Sequence, residues 1–187
     1  MDHTEMIQKY LDETQQIAQA VDHSKIDGAI RILQNTKDKG GRLFILGIGG
    51  SAGNASHAVN DFRKIAGIET YTPVDNVSEL TAWANDVSFD CIFEKWLKTS
   101  KLNSKDTVLV FSVGGGSDTT SKNLVLAMQA AKEVGASIVS IVSRDGGKAL
   151  TLSDVCILIP VLSKENITPH AEGWQAVLWH LIVNAIH

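Results

Sequence analysis

Leu43-Phe44-Ile45-Leu46-Gly47-Ile48-Gly49-Gly50-Ser51, continued by Ala52-Gly53-Asn54-Ala55-Ser56-His57-Ala58-Val59-Asn60-Asp61, decides how this chain folds. A short apolar run that breaks at glycines and restarts as a helix is the pattern of a buried parallel strand with a ligand-binding turn at its carboxyl end. Glycines let backbone approach a ligand, Ser51 adds a hydroxyl, and the new helix presents free N–H groups; phosphate is the natural guest. Three readings of the turn compete. No lysine follows the glycines, which speaks against a nucleoside-triphosphate loop. Gly47, Gly49 and Ala52 fit the small positions of a dinucleotide fingerprint, with Glu69 roughly 20 residues on as the ribose-binding acid. In the third reading, Ser51 and the amides hold one sugar-phosphate monoester.

Outward from this stretch, the same grammar recurs. Asp106-Thr107-Val108-Leu109-Val110-Phe111 reads as a strand that runs into Ser112-Val113-Gly114-Gly115-Gly116-Ser117, with a helix from about Thr119 to Glu133 ended by Gly135. Two such turns on one parallel sheet put two hydroxyl- and amide-rich rims on the same edge. Ser137 to Val142 is the next strand, Asp145-Gly146-Gly147 a turn and helix start, and Val155 to Ile159 the last strand. Between the two motifs, Ala52 to Lys64 reads as the first crossover helix, 69–74 as extended, and 79–84 and 89–98 as helices interrupted by Asn85-Asp86. Strands alternating with helices predict a doubly wound, flavodoxin-like α/β fold with a parallel sheet between two helical layers.

Two amphipathic helices, 4–21 and about Ser24 to Lys37, precede the first strand. Neither can be a crossover, so they cover a sheet face or pack against another subunit. The final helix opens with Thr168 as N-cap and Pro169 in its first turn. Trp174, Val177, Leu178, Leu181, Ile182 and Ala185 make one apolar stripe, and Ala176, Trp179 and Val183 stand on the other side. A helix apolar on both sides is buried on both, which predicts an oligomer enclosing Glu172 and His180.

With 187 residues, one domain is expected, with leading helices in 1–38 and an α/β core in 42–187. A net charge of −4 with acids and bases interspersed leaves no footprint for nucleic acid or an anionic membrane. The amino terminus has no basic region followed by an apolar stretch, and no run approaches 18 apolar residues, as expected of a cytoplasmic protein. Cys91 and Cys156, each in an apolar segment, read as core thiols, and the four tryptophans as core or interface.

The turns Gly49-Gly50-Ser51 and Ser112 to Ser117, with Asn85-Asp86, Asp145-Gly146-Gly147 and His180, resemble the sugar isomerase (SIS) domain family over nearly the whole chain. The nearest resemblance is to its phosphoheptose isomerase branch, which interconverts sedoheptulose 7-phosphate and a heptose 7-phosphate. The resemblance implies a homotetramer with active sites between subunits and no nucleotide cofactor. It implies zinc, one per subunit, on His57, Asp61, Glu172 and His180, with Asp61, Glu172 and His180 in the catalytic set. Substrate would meet Gly49, Gly50, Ser51, Asn85, Asp86, Ser112, Gly114, Ser117 and Glu172. The chain departs from the branch: Asp61 stands for Glu, Glu172 for Gln, Ile48 for Asn, Ser112-Val113-Gly114 for Ser-Thr-Ser, and Pro169 near an acidic position. The loop after Ser117 is about two residues longer and brings Asp118 near the phosphate rim, where its charge repels an anion unless it turns away.

Aldose–ketose isomerisation through an enediol needs one group to take a proton from carbon and another to manage a proton on oxygen; a carboxylate and a histidine suffice. Asp61 or Glu172 fits the base and His180 the acid. His57 and Asp61 at i,i+4 also suit a metal, whereas Glu172 and His180 lie eight residues, about 12 Å, apart on a helix. Plainer readings stand beside these: a solvated helix face for His57 and Asp61, a hydrogen-bonded interface histidine for His180, a helix cap for Ser51. Two functional classes follow: a phosphosugar isomerase, and a non-catalytic SIS protein that binds phosphosugar and a partner protein.

Overall fold

The computed structural model describes residues 2–186. Five parallel strands, β1 (Leu43–Leu46), β2 (Thr70–Tyr71), β3 (Thr107–Phe111), β4 (Ser137–Val142) and β5 (Val155–Leu158), form one sheet in the order β2-β1-β3-β4-β5. Leu43 pairs with Thr107 and Val108 with Ile138, so β1, β3 and β4 run in register through the centre. Period-two alternation divides the apolar strand residues between two cores. Leu43, Ile45, Leu109, Phe111 and Val139 face a layer made by α2 (His23–Asp38), α3 (Gly50–Lys64) and α8 (Ile167–Ile186). Phe44, Leu46, Val108, Val110 and Ile138 face α5 (Ile92–Thr99) and α6 (Lys122–Glu133). Strands buried on both faces explain why these runs are continuously apolar rather than alternating. The order is the flavodoxin-like one, whose switch point between β1 and β3 opens a crevice at the carboxyl ends of those strands.

The leading helices behave differently. In α2, Ile26, Ala29 and Leu33 are buried on the sheet face, and Asp22 caps the helix by accepting from Ser24 N–H at 2.8 Å. In α1 (His3–Ala20) only Glu13 and Ile17 are buried, while Met6, Ile7, Tyr10 and Leu11 stay exposed. The inward side of α8 is Trp174, Leu178, Trp179, Ile182, Val183 and Ile186. Val177 and Leu181, expected on one stripe with Trp174, Leu178 and Ile182, point outward instead, and Trp179 and Val183 share the inward side with Leu178 and Ile182.

Caps account for the boundaries that composition misplaces. Asn76 accepts from Glu79 N–H at 3.2 Å and starts α4 (Val77–Asp86) early, so Asn85 and Asp86 form its last turn rather than a loop. Ser117 Oγ accepts from Thr119 N–H and Thr120 N–H at 3.2 and 2.9 Å, a local turn that competes with helix and delays α6 to Lys122. α8 begins at Ile167, so Thr168 lies inside the helix; the Asn166 side chain goes to Glu13 instead.

Candidate functional site

The two glycine turns meet at the switch point, as their shared grammar predicts. A cavity of about 630 Å³ is lined by Ile48 and Ser51 from the first turn, by Ser112, Gly114 and Ser117 from the second, and by Arg144 after β4. Gly49 has φ +65° and ψ −129°, a conformation open to glycine, and so redirects the chain from strand to helix. Gly47 is required by close approach to backbone instead, and Gly50 lies against a side chain. A Cβ on Gly47 would stand 2.5 Å from the Ser51 carbonyl carbon, and one on Gly50 2.6 Å from Glu172 Cδ. The Glu172 carboxylate is therefore laid against the first turn of α3, at the positive end of that helix. Gly49 and Gly50 build the helix start and do not line the cavity.

Hydrogen bonding leaves the cavity with spare donors. Ser112 Oγ accepts from Gly115 N–H at 3.1 Å, which leaves its hydroxyl proton free to donate, and Ser117 Oγ accepts from the amides of Thr119 and Thr120 with Thr119 Oγ1 3.4 Å away. Ser51 is 1% exposed and its hydroxyl opens on the same space. The loop is held from behind, because Lys148 N–H donates to Gly116 O at 2.9 Å and Ala149 N–H to Gly115 O at 3.0 Å, both from α7 (Gly147–Leu152). Asp118 turns away: its exposed carboxylate meets Lys148 Nζ at 3.4 Å. Asn85 and Asp86 are exposed and do not line the cavity, and Asn85 Nδ2 donates to Asp86 Oδ1. Glu69 precedes β2 at the amino end of the sheet, where its carbonyl accepts from Leu43 N–H at 2.8 Å. A ribose-binding acid belongs at the opposite edge, so the dinucleotide reading fails on topology.

Farther along α3, His57, Asp61 and His180 bring one ligand atom each to within 4.8 Å of one another. His180 Nε2 lies 3.6 Å and His57 Nε2 4.0 Å from Asp61 Oδ2, whose side chain is 13% exposed. Packing of α8 on α3 makes the cluster: Asn54 Nδ2 donates to Glu172 O at 2.9 Å and to Gln175 Oε1 at 3.0 Å. The His57 ring also meets Trp179 edge-on at 4.8 Å. His180 Nδ1 is 2.7 Å from Ala176 O, and a carbonyl only accepts, so the ring donates from Nδ1. In the neutral ring Nε2 keeps its lone pair and faces the carboxylate, so the cluster offers imidazole and carboxylate acceptors. That donor set fits a proton or a divalent cation such as zinc, with a backbone-oriented histidine as such sites use. Of the four residues expected to share a metal, three are brought together. Glu172 lies two turns nearer the head of α8, against Gly50.

Arg144, Thr120 and Ser121 line the cavity without having been singled out in the sequence. Arg144 follows β4 at the position where β1 and β3 carry their turns, a signal available only once the strands are aligned.

Residues 9–143 match the model of the family described as SIS domain. A phosphoheptose isomerase of Helicobacter pylori (strain P12) is 27% identical over 189 residues, covering 98% of this chain and 90% of that protein. A lincomycin biosynthesis protein of Streptomyces lincolnensis is 34% identical over 164 residues, 81% of this chain, which thereby spans 58% of that longer protein. Among solved structures, a phosphoheptose isomerase of Neisseria gonorrhoeae superposes with a TM-score of 0.84 at 22% identity, over 98% of this chain and 95% of that one.

Proposed function

The chain belongs to the SIS domain family and is an isomerase by kinship with the phosphoheptose isomerases; from that premise we propose that it interconverts an aldose and a ketose phosphate, the substrate a seven-carbon sugar such as sedoheptulose 7-phosphate. One observation carries this reading. The hydroxyl-lined cavity begins at Ser51 in the first turn of α3, and the titratable cluster begins at His57 on the same helix, about 9 Å farther along its axis. That span suits an extended six- or seven-carbon chain held at its phosphate end, with its carbonyl end at the cluster.

In this assignment Ser51, Ser112 and Ser117 donate to the phosphate, assisted by the amino terminus of α3. Asp61 takes the proton from the carbon beside the carbonyl, and His180, presenting Nε2, moves the proton on oxygen as the enediol forms and collapses. Asp61 is preferred to Glu172 as base because it is Asp61 that His180 faces; the Glu172 carboxylate is committed to the head of α3, where it accepts from sugar hydroxyls. His57, Asp61 and His180 would hold a zinc ion, which when bound polarises a carbonyl as a Lewis acid. The exposed apolar residues of α1, with Val177 and Leu181 on α8, are surfaces for packing into a homotetramer.

The test is turnover of sedoheptulose 7-phosphate by the wild type and by Asp61→Asn, His180→Ala and Glu172→Gln. Loss of about 10²–10⁴-fold in kcat is expected for the first two, with a smaller change carried mainly by KM for the third. A kcat loss in Glu172→Gln equal to that in Asp61→Asn would move the base to Glu172. A non-catalytic, phosphosugar-binding role is the second reading, favoured by the loss of a polar side chain at Ile48 beside the phosphate turn; it requires binding without turnover.

A further inference from the structure

Arg144 is the cation of the cavity wall, and its surroundings contain two irregularities that belong together. The first is conformational. Arg144 holds φ +55°, in the left-handed region where a side chain is strained, and such outliers persist where surrounding structure holds them for a use. The second is spatial. Gly114 carries no side chain, and the point a Cβ would occupy lies 3.8 Å from both Arg144 Cδ and Nη1. The Arg144 side chain thus lies over the bare backbone of the second turn, in the direction a residue-114 side chain would take. Among the described residues its guanidinium enters no ion pair, whereas the other charges of this rim are engaged: Lys148 pairs with Asp118, and Asp145 Oδ1 accepts from Gly147 N–H at 3.2 Å.

Resting on the phosphate-site reading above, we propose that Arg144 is a phosphate-clamping, specificity-determining residue, its guanidinium reaching the cavity over the bare Cα of Gly114. A planar fork of N–H donors matches two oxygens of a phosphate monoester, and its fixed charge strengthens each hydrogen bond. Ser112 and Ser117 then donate from the turn and Arg144 closes from the β4 side. A fixed cation makes the site more selective for a dianionic phosphate over a neutral sugar than a hydroxyl-only rim.

Calorimetric binding of inorganic phosphate tests this independently of turnover, using the wild type, Arg144→Lys, Arg144→Gly and, as a control for net charge, Lys105→Gln before the amino end of β3. Glycine suits the left-handed backbone at 144, so Arg144→Gly is expected to melt no lower than the wild type and to bind phosphate roughly 10- to 100-fold more weakly. Arg144→Lys should fall between, with Lys105→Gln unchanged. Equal affinity in wild type and Arg144→Gly, or no phosphate binding by the wild type, overturns the clamp. Lost phosphate binding in Arg144→Gly, in a protein that turns over no sugar phosphate, keeps the clamp and removes the isomerase reading instead.

Discussion

Replacing Gly47 by alanine should damage the protein far more than the same change at Gly50, three residues along. Neither glycine has a positive φ, so the difference is one of space and not of backbone freedom. A Cβ on Gly47 would lie 2.5 Å from the Ser51 carbonyl carbon and 2.9 Å from Ala52 N, against a contact optimum of about 3.5–4.0 Å between carbons. Both obstacles are backbone of the first turn of α3, which is bonded onward to Ala55, Val59 and Phe62 in the core, so the overlap is relieved by lifting the helix start from the strand end. Overpacking of this kind costs about 1–3 kcal/mol and more where backbone is the obstacle. Taking about 3 kcal/mol, a domain of this size should melt roughly 6–12 °C lower. On Gly50 the obstacle is the far end of the Glu172 side chain, which can swing to solvent, and alanine regains up to about 1 kcal/mol of helix propensity. Gly50→Ala is therefore expected within about 4 °C of the wild type, with altered sugar binding. Scanning calorimetry of both variants decides the point. Similar melting temperatures for the two would refute the claim that the turn is held by backbone-on-backbone contact at Gly47.

Two more outcomes follow from groups outside the site. Burial alone would raise the Glu13 carboxyl, but hydrogen bonds from Asn166 Nδ2 at 2.7 Å and from His170 at 2.9 Å outweigh it and hold the group below its ordinary value of 4.5. A carboxyl depressed by folding stabilises above its unfolded pKa and loses that contribution as pH falls through the folded one. Urea unfolding should therefore show Glu13→Gln less stable at pH 7 by about 1–3 kcal/mol, the gap narrowing below pH 4.5. Burial pushes the Cys156 thiol up to about 11, so at pH 8 roughly one molecule in a thousand carries the thiolate. Native protein should resist iodoacetamide at Cys156 at that pH and react after unfolding; rapid labelling of the folded chain would contradict the burial.

Much of the architecture was legible because β1 and β3 are largely apolar runs followed by glycine-rich turns, a pattern that buried parallel strands with ligand-binding turns impose. The meeting of Ser51 with Ser112 and Ser117 followed from repeating that pattern on one sheet edge. His57 and Asp61 were legible as an i,i+4 pair, but their union with His180 depends on how Asn54 seats α8 on α3, which no local pattern encodes. Glu172 was grouped with them through family resemblance; eight residues of helix separate it from His180, and the bare Cα of Gly50 gives its carboxylate a different seat. α6 starts later than its composition suggests because a serine hydroxyl at 117 accepts two backbone amides and outcompetes the helix. No sequence motif marks Arg144, because the turn after β4 lacks the glycine–serine grammar of the other two.

Whether Asp61 and His180 move protons on a sugar phosphate seated in the Ser51–Ser112–Ser117 cavity is decided by proton NMR of sedoheptulose 7-phosphate with the protein in deuterated water. Solvent deuterium at the carbon beside the carbonyl, formation of an aldose phosphate, and loss of both in Asp61→Asn are expected. Bound sugar that neither exchanges nor isomerises with the wild type, or exchange that persists undiminished in Asp61→Asn, would contradict these roles.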